Sequence, residues 1–419
     1  MNKKKNSLTT KIFIALILGI IFGLIGNAFF SKTLNDGLIK WALNPIGQVF
    51  LRGIKMLVVP LVLFSLISGS ASIGDVKKLG RVGGKIMAYY LSTTAFAVTI
   101  ALLLANLVKP GIGIKLGTAA KEAAAAKAPF IMDIFTNMIP TNPFSAMVNG
   151  DMLQIIVFAI IFGVALTLVG ESAKPLLNII NQANNTLMKI IGIIMNIAPY
   201  GVFALISNVV ISQGIDVLLP LMKYVLLVIF VLIIHITVVY GGLLSLFTKL
   251  NPVKFFKKFW PVMVVAFSTS SSNATIPVNI ETCTKDLGIS KSVTSFTIPL
   301  GATVNMDGTA IMQGVAALFI AQMFGINLGF QSQLMIILVA TLASIGTAGV
   351  PGAGVVMLSM VLQQVGLPLE GIALVLSVDR IVDMARTTVN ITGDAVGSII
   401  VANSEGELNR EIYNSEIKA

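Results

Sequence analysis

Five polar side chains recur along the last apolar stretch of the chain: Asp379, Asp383, Arg386, Asn390 and Asp394. At roughly 100° per helical residue they fall at about 0°, 40°, −20°, 20° and 60°, one stripe roughly 80° wide with Thr387 at its edge. Ionisable groups inside a membrane span are costly and mark ion or substrate pathways. The charges on this stripe do not balance. Asp379, Asp383 and Asp394, with Asp307 from an earlier stretch, oppose Arg386 to leave about minus three, which low-dielectric surroundings cannot hold uncompensated. Either carboxylates stay protonated or cations bind. Helix breaks expected at Gly308 and Gly393 would expose carbonyls beside the carboxylates and favour a hard cation with oxygen ligands. Sodium fits, and the proton is its rival. A buried salt-bridge network fastening helices together is the plainer alternative.

The planar fork of Arg386 suits a carboxylate, and Asp383, one turn back, suits an ammonium. A ligand meeting both carries an amino group and an acidic side chain, and its second carboxylate needs donors. Residues 267–277 (Phe-Ser-Thr-Ser-Ser-Ser-Asn-Ala-Thr-Ile-Pro) offer six hydroxyls and an amide in a greasy context. Hydroxyls and backbone N–H groups at Ser271 and Ser272 supply such donors. On the plainer reading these serines only cap two half-helices. The one histidine, His235, lies in the apolar run 232–239 and reads as a buried, hydrogen-bonded helix residue in preference to a proton relay. The one cysteine, Cys283, excludes an internal disulfide framework and a thiol metal site.

The elements that must position these groups are membrane spans. Of 419 residues 56% are hydrophobic and only 11% charged, against about 25% charged in a soluble domain; the mean hydropathy is +0.91. Apolar runs of roughly 18 or more residues recur throughout, the mark of a polytopic, all-α membrane protein. The net charge of +11 is not a nucleic-acid footprint, because the basic residues cluster between apolar runs, as in cytoplasmic loops. The basic start and the apolar run 12–30 read as a retained first span with a cytoplasmic N-terminus, not a cleaved signal. Further spans are expected at 46–70, 86–108, 152–169, 187–210 and 218–247. Lys77, Lys78, Arg81 and Lys85 mark the inside after the second, and Lys249, Lys254, Lys257 and Lys258 after the sixth. The lysine-bearing, small-residue stretch 119–127 is an outside linker.

The last third is organised differently. About eight apolar residues precede the Ser-rich stretch, too few for a crossing and a return, so this segment reads as a re-entrant hairpin dipping in from the cytoplasm. A second hairpin surrounds Ser344-Ile-Gly-Thr-Ala-Gly-Val-Pro-Gly-Ala-Gly354, with the Gly and Pro content of an opened turn. Each hairpin precedes a long helix holding Thr-Val-Asn-x-x-Gly, at 303–308 and 388–393. Hairpin plus helix, twice and from opposite sides, reads as an inverted repeat, and paired interrupted segments point to the binding site of a secondary transporter. The expected division is 1–75 for spans one and two, 76–108 for span three and 109–150 for the extracellular linker. Residues 151–212 hold spans four and five and 213–250 span six. Hairpin 1 takes 251–292, span seven 293–325, hairpin 2 330–365, span eight 368–403, and 404–419 a cytoplasmic tail.

These phrases, above all Asn305-Met-Asp-Gly-Thr309, the second-hairpin turn and Asp383-Met-Ala-Arg-Thr-Thr-Val-Asn-Ile-Thr-Gly-Asp394, resemble those of the dicarboxylate/amino acid:cation symporter family. The resemblance implies eight transmembrane helices plus two re-entrant hairpins, and a homotrimer in the inner (plasma) membrane with both termini cytoplasmic. Each subunit would have a scaffold (spans one, two, four and five) and a transport domain moving like an elevator. It implies import of acidic amino acids, aspartate or glutamate, with sodium, and neither enzyme activity, an organic cofactor nor a nucleic-acid partner; lipid is the surrounding partner. By motif, substrate would meet Ser271, Ser272, Thr309, Val350, Gly354, Asp383, Arg386, Thr387 and Asn390. Up to three sodium ions are implied. One would use Gly301, Asn305, Asn390 and Asp394; a second the backbone of Thr303, Ser344, Ile345 and Thr347; a third Tyr90, Thr93, Thr94, Asn305 and Asp307. The sequence departs from the family pattern at Ser270, Asn273 and Ala274, which bear on affinity. Gln313 is neutral where animal members carry a glutamate tied to proton coupling. The rivals are a proton-coupled glutamate carrier, a neutral amino acid or cystine carrier (against which Arg386 argues), a channel, and an intramembrane aspartyl hydrolase, whose shared proton Arg386 would spoil.

Overall fold

The computed structural model describes residues 8–72, 80–113, 136, 139–345, 347, 349 and 351–416. The N-terminal lysines, Lys77, Lys78, the linker at 119–127 and Val350 lie outside the described residues. Among those described the chain is almost wholly helical and has no strand, only an isolated bridge between Ile289 and Leu408. Among the described residues five stretches are long and apolar enough to cross a membrane by length and composition: Thr10–Phe29, Arg81–Val108, Gln154–Ile194, Leu218–Thr248 and Lys291–Met323. The protein is a multi-pass membrane protein.

The first half contributes α1 (Leu8–Phe29), α2 (Lys32–Leu38), α3 (Asn44–Ser72), α4 (Gly80–Val108), α5 (Pro143–Asn149), α6 (Met152–Val169) and α7 (Lys174–Gln213). Helix α7 begins well before the fifth apolar run, because Pro at its first turn and a polar face carry it out of that run. Helix α8 (Leu218–Ile234) passes through a π-helical segment, His235–Tyr240, into α9 (Gly241–Thr248). Hairpin 1 is α10 (Pro252–Thr269) and α11 (Ser272–Lys285); α12 (Lys291–Val304) and α13 (Asp307–Met323) follow. Hairpin 2 is α14 (Phe330–Ser344) and α15 (Ala353–Gln364), and α16 (Ile372–Glu405) and the short α17 (Arg410–Asn414) end the fold.

Local chemistry sets the hairpin turns. The Asn251 side chain accepts from the Val253 N–H and Pro252 opens α10, the usual helix start. Helix α10 stops at Ser270, which takes a left-handed φ of 51°, and the Ser271 hydroxyl then accepts from the Ala274 N–H to start α11. In hairpin 2 the chain opens after Ile345 and re-enters helix through Gly352 at φ 84°, a conformation that glycine adopts without a Cβ penalty.

Packing forms two groups. Helices α1, α3, α6 and α7 pack on one another, while α4, α8 to α13 and α15 pack on α16, which is buried over most of its length, and α14 joins them through α4, α13 and α15. Helix α15 of hairpin 2 also rests on α3, and α16 on α7, so the groups meet along these lines. The segment after α16 is folded: the buried Tyr413 donates its hydroxyl to the Asn251 carbonyl at 3.0 Å, and Lys258 Nζ donates to the Ile412 carbonyl at 2.7 Å.

One expected break is absent. Helix α16 runs through Gly393 without interruption, whereas the chain unwinds at Asn305 and Met306, just before Gly308. The glycines serve close approach instead. A Cβ on Gly393 would strike the Tyr240 hydroxyl and the Asn305 amide, and one on Gly308 the backbone of Arg386.

Candidate functional site

Asp379, Asp383, Arg386, Asn390 and Asp394 are all buried. Arg386 Nη1 donates to Asp379 Oδ1 at 2.8 Å, and its Nε and Nη2 reach Asp383 Oδ1 at 2.9 and 2.8 Å. The other oxygen of Asp383 takes the Gly352 N–H of hairpin 2 at 3.3 Å and faces Arg380 Nη1 at 3.5 Å. These ion pairs lie within α16, so they fasten no helix to another. Arg380 falls about 100° from Asp379, beyond the stripe, so the spacing of the stripe alone does not add its charge to the balance.

Around this pair the two hairpin tips close a small pocket. Hairpin 1 lends Ser270 and Ser272, hairpin 2 lends Thr347, Gly349 and Gly354, and the α13 start lends Met306 and Thr309. Helix α16 supplies Asp383, Arg386, Thr387 and Asn390. The pocket measures about 10 Å³, about one water. Ser271 is spent differently: its hydroxyl donates to the Gly349 carbonyl at 2.7 Å, and the Asn273 N–H reaches the same oxygen at 3.2 Å. The serine-rich turn therefore both caps its helix and latches one hairpin to the other. Gly354 leaves room for the guanidinium, since a Cβ there would sit 2.9 Å from Arg386 Cζ.

Below the pocket lies a second polar cluster. Asn390 Oδ1 accepts from the Gly308 N–H at 2.8 Å, holding the first turn of α13. Asn305 Nδ2 donates to the Asn390 carbonyl and to Asp394 Oδ1, each at 2.9 Å. The opposite atoms, Asn305 Oδ1 and Asp394 Oδ2, are buried and unpartnered, and a Cβ on Gly301 would collide with the Asp394 carboxylate and the Tyr90 hydroxyl. Two orphaned oxygens, one of them a carboxylate's, in a tight site beside the Tyr90 hydroxyl are donors that fit a hard cation. Among the described residues no Lys or Arg pairs with Asp394.

Asp307, buried at the α13 N-terminus, accepts at Oδ1 from Thr94 at 2.5 Å and at Oδ2 from Tyr240 at 2.8 Å and His235 Nε2 at 2.9 Å. With Asp307 written as a carboxylate its oxygens only accept, and Nε2 is assigned the hydrogen. His235 is thus the buried, hydrogen-bonded residue expected, but its partner and Tyr240 were not legible in the sequence. Thr93 donates to the Tyr90 carbonyl at 3.1 Å, and the Thr94 hydroxyl, whose one hydrogen serves Asp307, lies 2.8 Å from that same carbonyl. Ser344, Ile345 and Thr347 stand at the end of α14, and Thr303 in the last turn of α12. Their helix ends are close: a Cβ on Gly349 would lie 2.7 Å from the Ala302 carbonyl.

A multi-pass helical protein with two broken hairpins, an amphoteric pocket and oxygen-rich clusters beneath it belongs to the class of ion-coupled carriers. The chain matches the sodium:dicarboxylate symporter family over residues 8–404 and belongs to that family, one of transporters. It is 39% identical to the proton/sodium-glutamate symport protein of Geobacillus stearothermophilus, with 97% of each chain covered. It is 36% identical to the proton/glutamate-aspartate symporter of Escherichia coli strain K12, covering 98% of this chain and 96% of the relative. A C4-dicarboxylate transport protein of Bacillus subtilis is 33% identical, with 96% and 94% covered.

Proposed function

We propose that the protein imports acidic amino acids, aspartate or glutamate, in symport with sodium. The observation carrying this reading is the pairing of Arg386 with Asp383 beneath two closed hairpin tips. A substrate that is both acid and amine exchanges partners there without leaving a buried charge alone. Its side-chain carboxylate takes the guanidinium fork, its ammonium takes Asp383, and its α-carboxylate turns to hydroxyl and N–H donors at Ser272 and, by the family pattern, at Val350. Thr309, Gly354, Thr387 and Asn390 complete the wall. A C4-dicarboxylate has no ammonium to repay Asp383, which disfavours it; unpairing a buried charge costs several kcal/mol.

The pocket has room for about one water, so hairpin 2 must lift for substrate to enter. Its tip is held by the Gly352–Asp383 and Gly349–Ser271 hydrogen bonds. Gly301, Asn305, Asn390 and Asp394 would hold one sodium, the backbone of Thr303, Ser344, Ile345 and Thr347 a second, and Tyr90, Thr93, Thr94, Asn305 and Asp307 a third. A bound cation supplies the positive charge that Asp394 lacks. The chain is read as eight spans and two hairpins entering from opposite faces, in the plasma membrane with both termini cytoplasmic. The group around α16 is read as sliding like an elevator against α3 and α7, three copies forming a homotrimer.

Aspartate uptake into proteoliposomes, with sodium and proton gradients imposed separately, tests the reading. Uptake should follow the sodium gradient at constant pH. Uptake that ignores sodium and follows only the pH gradient would instead make this a proton-coupled carrier, as the name of the Escherichia coli relative describes that protein.

A further inference from the structure

His235 and Tyr240 are five residues apart, and in an α-helix, at about 100° per residue, they would point about 140° apart. They bound the π-helical segment between α8 and α9. There each turn closes on the fifth residue, so the two side chains come to one side. Their rings meet edge to face with centroids 4.5 Å apart, both are fully buried, and both donate to one atom, Asp307 Oδ2. A π turn is rare in helices and concentrates at functional sites. Here its two ends grip a single carboxylate oxygen.

The grip leaves the other edge of the carboxylate. Oδ1 faces Thr94, whose hydroxyl also reaches the Tyr90 carbonyl, and the Thr93 hydroxyl meets that same carbonyl. Each hydroxyl oxygen keeps lone pairs beyond its one hydrogen. The unpartnered Asn305 Oδ1 belongs to the same stretch of chain as Asp307. These are hard oxygen donors of the kind a small cation takes. A carboxylate that ligates a metal is ordinarily fixed from behind by outer hydrogen bonds, and their loss typically costs 10- to 100-fold in affinity.

We infer that His235 and Tyr240 are positioning residues for cation binding at Asp307: the π turn brings both onto Oδ2 and so presents Oδ1, with Thr94, to the ion. This rests on the sodium reading above and deepens it, since neither residue belongs to the set implied by the family resemblance. The test uses the full-length protein in detergent, without substrate, and reads the sodium concentration giving half-maximal thermal stabilisation. Tyr240→Phe and His235→Leu should each raise that concentration about tenfold or more, while His235→Gln, which keeps an N–H donor, should recover much of the loss. Aspartate affinity at saturating sodium should stay near wild type. A Tyr240→Phe midpoint within about twofold of wild type overturns the inference, and this nearly isosteric variant decides alone if His235→Leu does not fold. A wild-type protein whose stability ignores sodium sinks the sodium reading and this inference together; a responsive wild type with unmoved variants sinks the inference only.

Discussion

At the scale of the residue, the guanidinium of Arg386 serves two acceptors at once, Asp379 through Nη1 and Asp383 through Nε and Nη2. Only a planar fork does this; a lysine ammonium is a point charge on a flexible stem. Arg386→Lys keeps the charge, so the buried carboxylates are not abandoned and the fold should survive. What it loses is bidentate recognition of a carboxylate. A hydrogen bond to a charged group is worth about 1.5–3 kcal/mol, so isothermal titration should show aspartate binding weakened at least about tenfold, with stabilisation by sodium retained. Affinity within about twofold of wild type would remove Arg386 from substrate recognition. The stripe and its surplus of negative charge could be read from spacing alone, because helical periodicity is a local property. The clamp on Asp307 could not be, because a π turn changes which residues share a face and no residue type in 235–240 announces it.

At the scale of the element, the hairpins were legible where turn chemistry is local and illegible where it depends on a partner. The Ser-rich turn stops one helix and starts another through Ser270 and Ser271, as its residue types suggest. That the Ser271 hydroxyl crosses to the Gly349 carbonyl needs the tertiary fold, and so does the continuity of α16 through Gly393. The end of α16 is likewise built by distant contacts: Lys85 and Arg81 of α4 reach the Glu405 carboxylate at 2.5 and 2.6 Å. Their hydrogen bonds, that of Lys85 foremost, hold the Glu405 carboxyl below the ordinary carboxylate range. A carboxyl depressed in the folded state stabilises the fold above its unfolded pKa and loses that contribution as pH falls through the folded one. Glu405→Gln should therefore lower the melting temperature slightly at about pH 7, and the difference should shrink in an acidic buffer below the ordinary carboxylate range. High salt should shrink it too, because Arg81 is exposed. An equal difference at both pH values would show that the ion pairs contribute nothing there.

At the scale of the molecule, the two packed groups meet unevenly. Hairpin 2 lies against α3, with Leu57 of α3, Ile194 of α7 and Val356 of α15 lining one narrow gap. At the hairpin 1 side, by contrast, a cavity of about 410 Å³ separates Asn273 from Ser65 and Ser68 of α3 and Asn184 of α7. On the elevator reading proposed above, with hairpin 1 entering from the cytoplasmic side, that cavity would open inward and the group around α16 would stand at its inner position. Sliding would carry Val356 past Leu57. Leu57→Cys combined with Val356→Cys should therefore be bridged by mercuric ion, and the sole native thiol, Cys283, is buried and leaves a silent background. Bridged protein should lose aspartate uptake in proteoliposomes and regain it when excess thiol strips the metal, while still binding aspartate in detergent with sodium. The retained binding matters, because it separates a locked carrier from a broken site. Undiminished uptake at complete cross-linking would mean that these surfaces never part, and substrate would have to cross by opening of the hairpins alone.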